Sequence, residues 1–483
     1  MSRPAAQEQP LNTLILCADQ LNPTALGYAG SPWSVTPAVD ELARQGTVFS
    51  DAVCASPICV PARASLVTGR YVHELGTWDN GHPYSGEAPS WGHRLSAAGQ
   101  EVATIGKLHF AGDDAPTGFE QQHVPMHAEE GHGDLYSMLR DDLPDRPELR
   151  RMIAGAHSGD SEYTTYDRVV TDAACEWLRD HTGSTTPWTT FVSHVSPHHP
   201  LIAPPEFDRL FDEVDIPLPR QWTLDERPTH PALERLRRYY GFHGELSVEE
   251  VRRARRTYFA LVAYLDAQVR QILDVLDETG LRERTRIIFT ADHGDNIGEH
   301  GLWWKNNMYA GSVGVPLILT GPGITPGARS TTPVSHLDIL PTLLEWSGLP
   351  AEPDLPGRSL AAIAGEPDDP NRLVFSEYHA TGSSAGMFMV QDSHYKYVEY
   401  VGEAPQLFDR RADPGELVDL SGEDRCAEVV DGYAQHLRSI CDPEVVNERA
   451  RTSQRAKVDA FGGPEAVRAA GFRTHVPPPA TRR

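Results

Sequence analysis

The sequence repeats one device four times: a short apolar run that stops on an ionisable residue. LNTLILCADQ stops at Asp19, EVATIGKLHF at Lys107 and His109, WTTFVSHVSPHHP at His198, and TRIIFTADHGDN at Asp292 and His293. Runs of this length and apolarity read as buried central strands. Segments of helical length separate them. TPAVDELARQ opens on Thr36 and Pro37 and stops at Gly46, the punctuation of a helix. SEYTTYDRVVTDAACEWLRDH reads as another helix. Leu261, Leu265, Val269, Ile272 and Leu276 fall on one face of a long helix from Val251 to Glu278. Strands alternating with helices predict an α/β fold, a large sheet covered by helices on both faces. In such sheets ligands bind beyond the carboxyl ends of the strands. The ionisable residues at the four run ends are therefore candidates for one site, although they lie far apart in sequence.

Beyond AGEPDDPNR, at residues 364–372, the pattern changes. LVFSEYH, GMFMVQDS, YKYVEYV and PQLFDRR are short strand-like runs separated by turns, followed by a helix around Asp424 to Ile440. Two units are expected. Residues 1–365 carry the chemistry, and residues 366–483 form a C-terminal subdomain with a small antiparallel sheet, a helix and the tail THVPPPATRR. Residues 121–160 and 204–247 are polar or rich in Pro, and are read in part as loops over the site.

Charge limits the partners. The 483 residues carry a formal net charge of -25, which excludes a nucleic-acid backbone as ligand. An anionic substrate must be drawn in by a local positive site against the global field. The six cysteines are scattered, with no CxxC pair, so a disulfide framework is not expected and a reducing compartment is. The N-terminal apolar run is too short for a secretory segment, and no run approaches a membrane span. The expectation is a cytoplasmic protein with no membrane partner.

One cysteine stands in a distinctive place. Cys59 precedes Pro61 and Arg63 in CVPARASLVTGRY, at the start of a helix. A thiol at a helix N-terminus near a fixed positive charge would have its pKa lowered. A small buried hydrophobe is the equally weighted alternative. Asp19 with Gln20 and Asp292 with His293 are paired ligand types at two strand ends, able to hold a divalent cation or merely to cap turns. Asp295 and Glu299 are further carboxylates nearby. HVSPHH, with His194, His198 and His199, also resembles a zinc cluster, but nothing completes a known zinc spacing.

Taken together, these segments resemble the type I sulfatase family of the alkaline phosphatase superfamily. CVPAR matches that family's Cys-x-Pro-x-Arg signature, GKLHF its Gly-Lys-x-His motif, and PHHP its Pro-His-x-Pro motif. TADHGDNIGEHGLWWK matches its Asp-His-Gly and Gly-Glu-His-Gly-Leu-Trp region. SHLDILPTLLEWSGLP and YKYVEY with PQLFDRRADPGE match later segments, so the blocks run in family order from about residue 11 to residue 420. The resemblance implies an alkaline-phosphatase-like sheet and hydrolysis of a sulfate ester. It also implies that a formylglycine-generating enzyme oxidises Cys59 to formylglycine, whose hydrate is the nucleophile.

By the same resemblance Asp19, Gln20, Asp292 and His293, with residue 59, hold one divalent metal ion. Arg63 holds residue 59 and stabilises its oxyanion. Lys107 and Lys305 bind the ester oxygens, His198 protonates the leaving alcohol, and His109 takes the proton that expels sulfate. The pairs Asp-Gln and Asp-His resemble the branch containing choline sulfatase and the phosphonate monoester hydrolases. That leaves the metal as Ca²⁺ or Mn²⁺, with imidazole favouring Mn²⁺, and keeps phosphonate monoesters and phosphodiesters open as substrates. Members of this branch are often oligomeric, so a homo-oligomer is expected. Trp78, Trp303 and Tyr378 are candidates for contact with a cationic alcohol.

Overall fold

The computed structural model describes residues 11–141, 143, 146–471 and 478–479. Eight strands build the large sheet: β1 (Asn12–Asp19), β2 (Gly46–Phe49), β3 (Glu101–Lys107), β4 (Gln121–Met126), β5 (Trp188–Pro197), β6 (Thr285–Ala291), β7 (Leu317–Thr320) and β8 (Ala328–Ser330). Their spatial order is β8-β2-β7-β6-β1-β5-β3-β4. β1 pairs in parallel with β5 and β6, and β3 with β4 and β5. Only β7 runs against its neighbours, so the sheet is mixed and mostly parallel. β1 and β5 are buried along their whole length, as strands covered on both faces must be.

The helices that frame the site are α1 (Pro37–Gln45), α2 (Cys59–Thr68), α3 (Glu162–Asp180) and α4 (Val248–Glu278). α4 starts earlier than the apolar stripe suggests, because Ser247 and Glu250 form a capping box. α1 begins at Pro37 as expected, but the Thr36 hydroxyl does not cap it. Instead the Asp266 carboxylate of α4 accepts from the Ala38 and Val39 amides at 3.0 and 2.8 Å. The cap residue thus comes from a neighbouring helix.

A second, four-stranded sheet is an antiparallel meander of β9 (Val374–Tyr378), β10 (Met387–Gln391), β11 (Tyr395–Tyr400) and β12 (Gln406–Asp409). It is tied to the large sheet's loops by the Glu377 amide donating to the Ala55 carbonyl at 3.0 Å and by the Arg410–Asp51 pair at 2.7 Å. The expected helix near Asp424 is α5 (Ala427–Ile440). Two further helices, α6 (Pro443–Ala460) and α7 (Pro464–Ala470), follow it in a stretch for which the sequence predicts no element. Residues 472–477 and 480–483 of the tail lie outside the described residues.

Candidate active site

β6, β1, β5 and β3 are adjacent and parallel, so their carboxyl ends meet on one edge of the sheet. That edge gathers Asp292, Asp19, His198 and Lys107, which the sequence separates by up to 273 positions. α2 meets them end-on. All ten of its residues are buried, and it presents no solvent face. Cys59 is its first residue and Arg63 lies one turn on, on the same side. The Asn80 side-chain oxygen accepts from the Val60 amide at 3.1 Å, satisfying one orphan donor of the helix start.

The Cys59 sulfur lies 3.2 Å from His293 Nε2, 3.2 Å from Lys305 Nζ and 3.7 Å from Asp19 Oδ1. Burial and the adjacent Asp19 carboxylate push the thiol above its ordinary range, while Lys305 and Lys107 oppose them. The helix-end argument for a lowered thiol pKa therefore fails here. Arg63 is spent elsewhere: it donates to Asp292 Oδ2 at 2.8 Å, the Lys107 carbonyl at 2.6 Å and Ser193 Oγ at 2.9 Å. Its remaining nitrogen is 3.5 Å from Asp19. Its direct contacts make it an organiser of the two carboxylates. Breaking such a buried pair costs on the order of 3–5 kcal/mol.

Donor atoms of Asp19, Cys59, Asp292 and His293 all lie within 4.8 Å of one another, and all four residues are buried. Asp292 Oδ1 accepts from the Gln20 and His293 amides at 3.1 and 2.9 Å. His293 Nδ1 sits 3.0 Å from the Gly294 carbonyl, which only accepts, so the proton is on Nδ1 and Nε2 faces the cluster as a lone pair. Gln20 has left-handed backbone (φ 64°). Its amide nitrogen donates to Asp295 at 2.6 Å, which turns its oxygen toward Lys305 Nζ, 2.7 Å away. Asp295 is thus the support of Gln20. Glu299, the other nearby carboxylate, pairs with Arg220 and Arg255 outside the cluster.

Lys107, the last residue of β3, pairs with Asp19, and the register of β4 against β3 shifts between Ile105 and Lys107. Gly106 there has φ 99°, and a Cβ would lie 2.2 Å from the Ser193 carbonyl oxygen, so only glycine fits. Against burial, Lys107, His198, Lys305 and Arg63 hold Asp19 well below the usual carboxylate range. His109 is buried with φ 57°, and neither ring nitrogen has a hydrogen-bond partner among the described residues. His198 Nδ1 donates to the His199 carbonyl at 2.7 Å, leaving Nε2 to exchange a proton. Burial, with Lys107 and Arg63 for His109 and with His199 and Lys305 for His198, lowers both imidazoles well below their ordinary range.

Lys305 sits between Trp304 and Asn306, both left-handed at φ 65° and 83°. Asn306 pins this turn. Its oxygen accepts from Tyr240 OH at 2.7 Å, and its nitrogen donates to Tyr378 OH at 2.6 Å. Tyr378 is on β9, so the small sheet holds a site lysine in place.

A cavity of about 190 Å³ opens from Cys59, Lys107, His109, His198 and Lys305. Its outer walls come from residues 128–136, Tyr163, Tyr240, Trp304 and the C-terminal Phe461 and Val467. Of the expected aromatic contacts, Trp78 packs against His379 and Arg449, and Trp303 is core. The neighbouring Trp304 lines the cavity instead. His194 bonds Thr171 at 3.0 Å on α3, away from His198, so the zinc reading of HVSPHH has no geometry behind it. Residues 128–136 do reach the site, whereas most of 204–247 packs elsewhere, with Tyr240 lining the cavity.

The sequence pattern of the sulfatase family matches residues 11–349, and that of the N-sulphoglucosamine sulphohydrolase C-terminal region matches residues 298–442. The chain is 34% identical over 443 residues to the choline-sulfatase of Rhizobium meliloti, spanning 86% of this chain and 83% of that one. It is 29% identical to arylsulfatase K of Gallus gallus, spanning 91% and 84%. The solved phosphonate monoester hydrolase of Silicibacter pomeroyi superposes with a TM-score of 0.74 at 24% identity, over 89% of this chain and 94% of that one. That of Agrobacterium radiobacter superposes with 0.71 at 25% identity, over 89% and 95%. With the fold, the buried cluster and these matches in agreement, the chain belongs to the sulfatase family and is a sulfuric ester hydrolase.

Proposed function

We propose that this protein hydrolyses the sulfate ester of a small alcohol with a formylglycine made from Cys59 by a separate maturation enzyme. The observation that carries the reading is the placing of Cys59, at a helix start in contact with His293, Lys305 and Asp19. Hydrated, the modified residue would supply two hydroxyls on one carbon, one to attack sulfur and one whose deprotonation expels sulfate.

The four donors within 4.8 Å, two carboxylates and an imidazole among them, fit a divalent cation. Asp19, Asp292 and His293, with Gln20 and residue 59, would hold Ca²⁺ or Mn²⁺, which would act as a Lewis acid on the attacking oxygen. The chain's own groups do the rest. Lys107 and Lys305 neutralise the ester oxygens, and they are buried, where a charge counts for most. His198, protonated on Nε2 as well as Nδ1 once the anionic ester is bound beside it, would give the Nε2 proton to the departing alcohol. His109, with both nitrogens unpartnered among the described residues, would take one from residue 59.

The similarity to phosphonate monoester hydrolases supports a second reading, in which the same site cleaves a phosphonate monoester or phosphodiester. Parallel assays on an aryl sulfate, an aryl phosphonate monoester and a phosphodiester separate the two. The sulfatase reading expects the highest kcat/KM on the sulfate, and a higher value on either phosphorus ester would replace it.

A further inference from the structure

We infer that the C-terminal helices α6 and α7 form the wall that receives the alcohol half of the substrate, and that this wall selects a compact alcohol bearing no further negative charge. The inference rests on the proposed ester hydrolysis and deepens it. The ionisable end of the cavity holds Lys107, Lys305 and the two histidines, so the ester's acid group is fixed there and the alcohol must extend outward. What it meets is the turn between α6 and α7. Phe461 and Val467 line that side, and Phe461 packs its ring on His132 at 5.8 Å.

The wall is anchored as part of the fold. Val458 and Val467 form a small apolar cluster with Leu135, Met138 and Leu139. Gln454 donates to Asp79 at 2.7 Å, and Arg455 pairs with Asp141 at 3.2 Å. A cavity of about 190 Å³ bounded on one side by this wall limits what can lie directly against the ester.

Charge selects in the same sense. Glu130 and Asp134 line this outer half. Among the described residues the one arginine lining it, Arg146, has its guanidinium near the Tyr136 and Tyr239 rings at 4.6 and 4.8 Å, and 3.7 Å from Asp134. A second sulfate or a carboxylate on the alcohol would face carboxylates there. Like-charge repulsion at this end would discriminate against such an alcohol.

The test uses the mature full chain with para-nitrophenyl sulfate, a heparin-type disaccharide carrying additional sulfates, and inorganic sulfate as inhibitor. The expected kcat/KM on the aryl ester exceeds that on the disaccharide at least a hundredfold. Phe461→Ala, a change at a part-exposed position, is expected to lower kcat/KM on the aryl ester about tenfold through KM. The inhibition constant of inorganic sulfate, which fills only the acid end, should stay the same. Phe461→Trp, which narrows the cavity, should penalise methylumbelliferyl sulfate more than the nitrophenyl ester. Comparable turnover of the disaccharide, or an unchanged KM in both variants, overturns the inference. If the wild-type protein prefers a phosphorus ester, the same variants are read with that ester, so the wall and the sulfatase reading fail separately.

Discussion

Cys59 illustrates how one residue's environment can reverse a local argument. A helix start and a nearby arginine should lower a thiol pKa. Here Arg63 is consumed by Asp292, Lys107 and Ser193, and burial beside Asp19 dominates. His109 is the complementary case, a buried imidazole with nothing to bond and a cavity in front of it. A structural histidine would be satisfied. His109→Ala is therefore expected to lower steady-state kcat roughly a hundred- to ten-thousand-fold. In the proposed role the group acts after the alcohol has left, so a rapid burst of about one alcohol per enzyme should survive in stopped-flow traces. Loss of the burst along with the steady rate would place His109 in the first step instead.

At the scale of elements, the small sheet takes part in the site through β9. Tyr378 holds Asn306, and Asn306 holds the left-handed turn that presents Lys305. Tyr378→Phe leaves the buried Asn306 nitrogen without its acceptor, a cost of about 1–3 kcal/mol. If that cost is felt at Lys305, inorganic sulfate should inhibit several-fold more weakly in the variant. A fall in Tm with unchanged sulfate inhibition would reduce Tyr378 to a packing residue.

The neighbouring Glu377 joins β9 to the His73 ring and to His379, each at 2.8 Å. Against full burial, His73 and His379 push its carboxyl down to about 2, from 4.5. A depressed carboxyl stabilises the fold above its unfolded pKa, and that stability is lost as pH falls toward the folded value. Between pH 4.5 and 2 the protein should lose about 3 kcal/mol through this group. His73 is shifted upward, chiefly by Glu377 against its burial, so its share is present below pH 6.5 and fades as pH rises. Denaturant titrations of Glu377→Gln should show a flatter acid limb than those of the wild type. Identical limbs would remove Glu377 from the acid response.

For the whole molecule, much of the site was legible because parallel strands carry their ends to one edge. Asp19, Lys107, His198 and Asp292 could be assigned to that edge from apolar runs alone. Lys305 could not: the sequence reads it as following a strand-like run, but it is on no strand, and the resemblance of GLWWK is what tied it to the site. Trp303 and Trp304 are adjacent and chemically identical, and the left-handed backbone at Trp304 decides which one lines the cavity. The C-terminal wall was missed because α6 is mostly polar. Its signal was present in Val446, Ala450, Gln454 and Val458, four residues apart and all buried.

The buried donor cluster lies between elements that are far apart in sequence, so a cation there should stabilise the whole fold. Added to chelator-treated protein at a hundred times its dissociation constant, Mn²⁺ or Ca²⁺ should contribute about 2.7 kcal/mol. That gain is read as a rise in Tm. Asp292→Asn should abolish the response and Glu299→Gln should retain it. A response that survives Asp292→Asn would move the metal elsewhere.

The central claim is that Cys59 is the precursor of the working residue. Peptide mass spectrometry at position 59, on protein made with and without a formylglycine-generating enzyme, tests it when each preparation's turnover is measured alongside. The account predicts turnover in proportion to the fraction of chains carrying the aldehyde at residue 59. Full activity in protein whose residue 59 is still cysteine would contradict it.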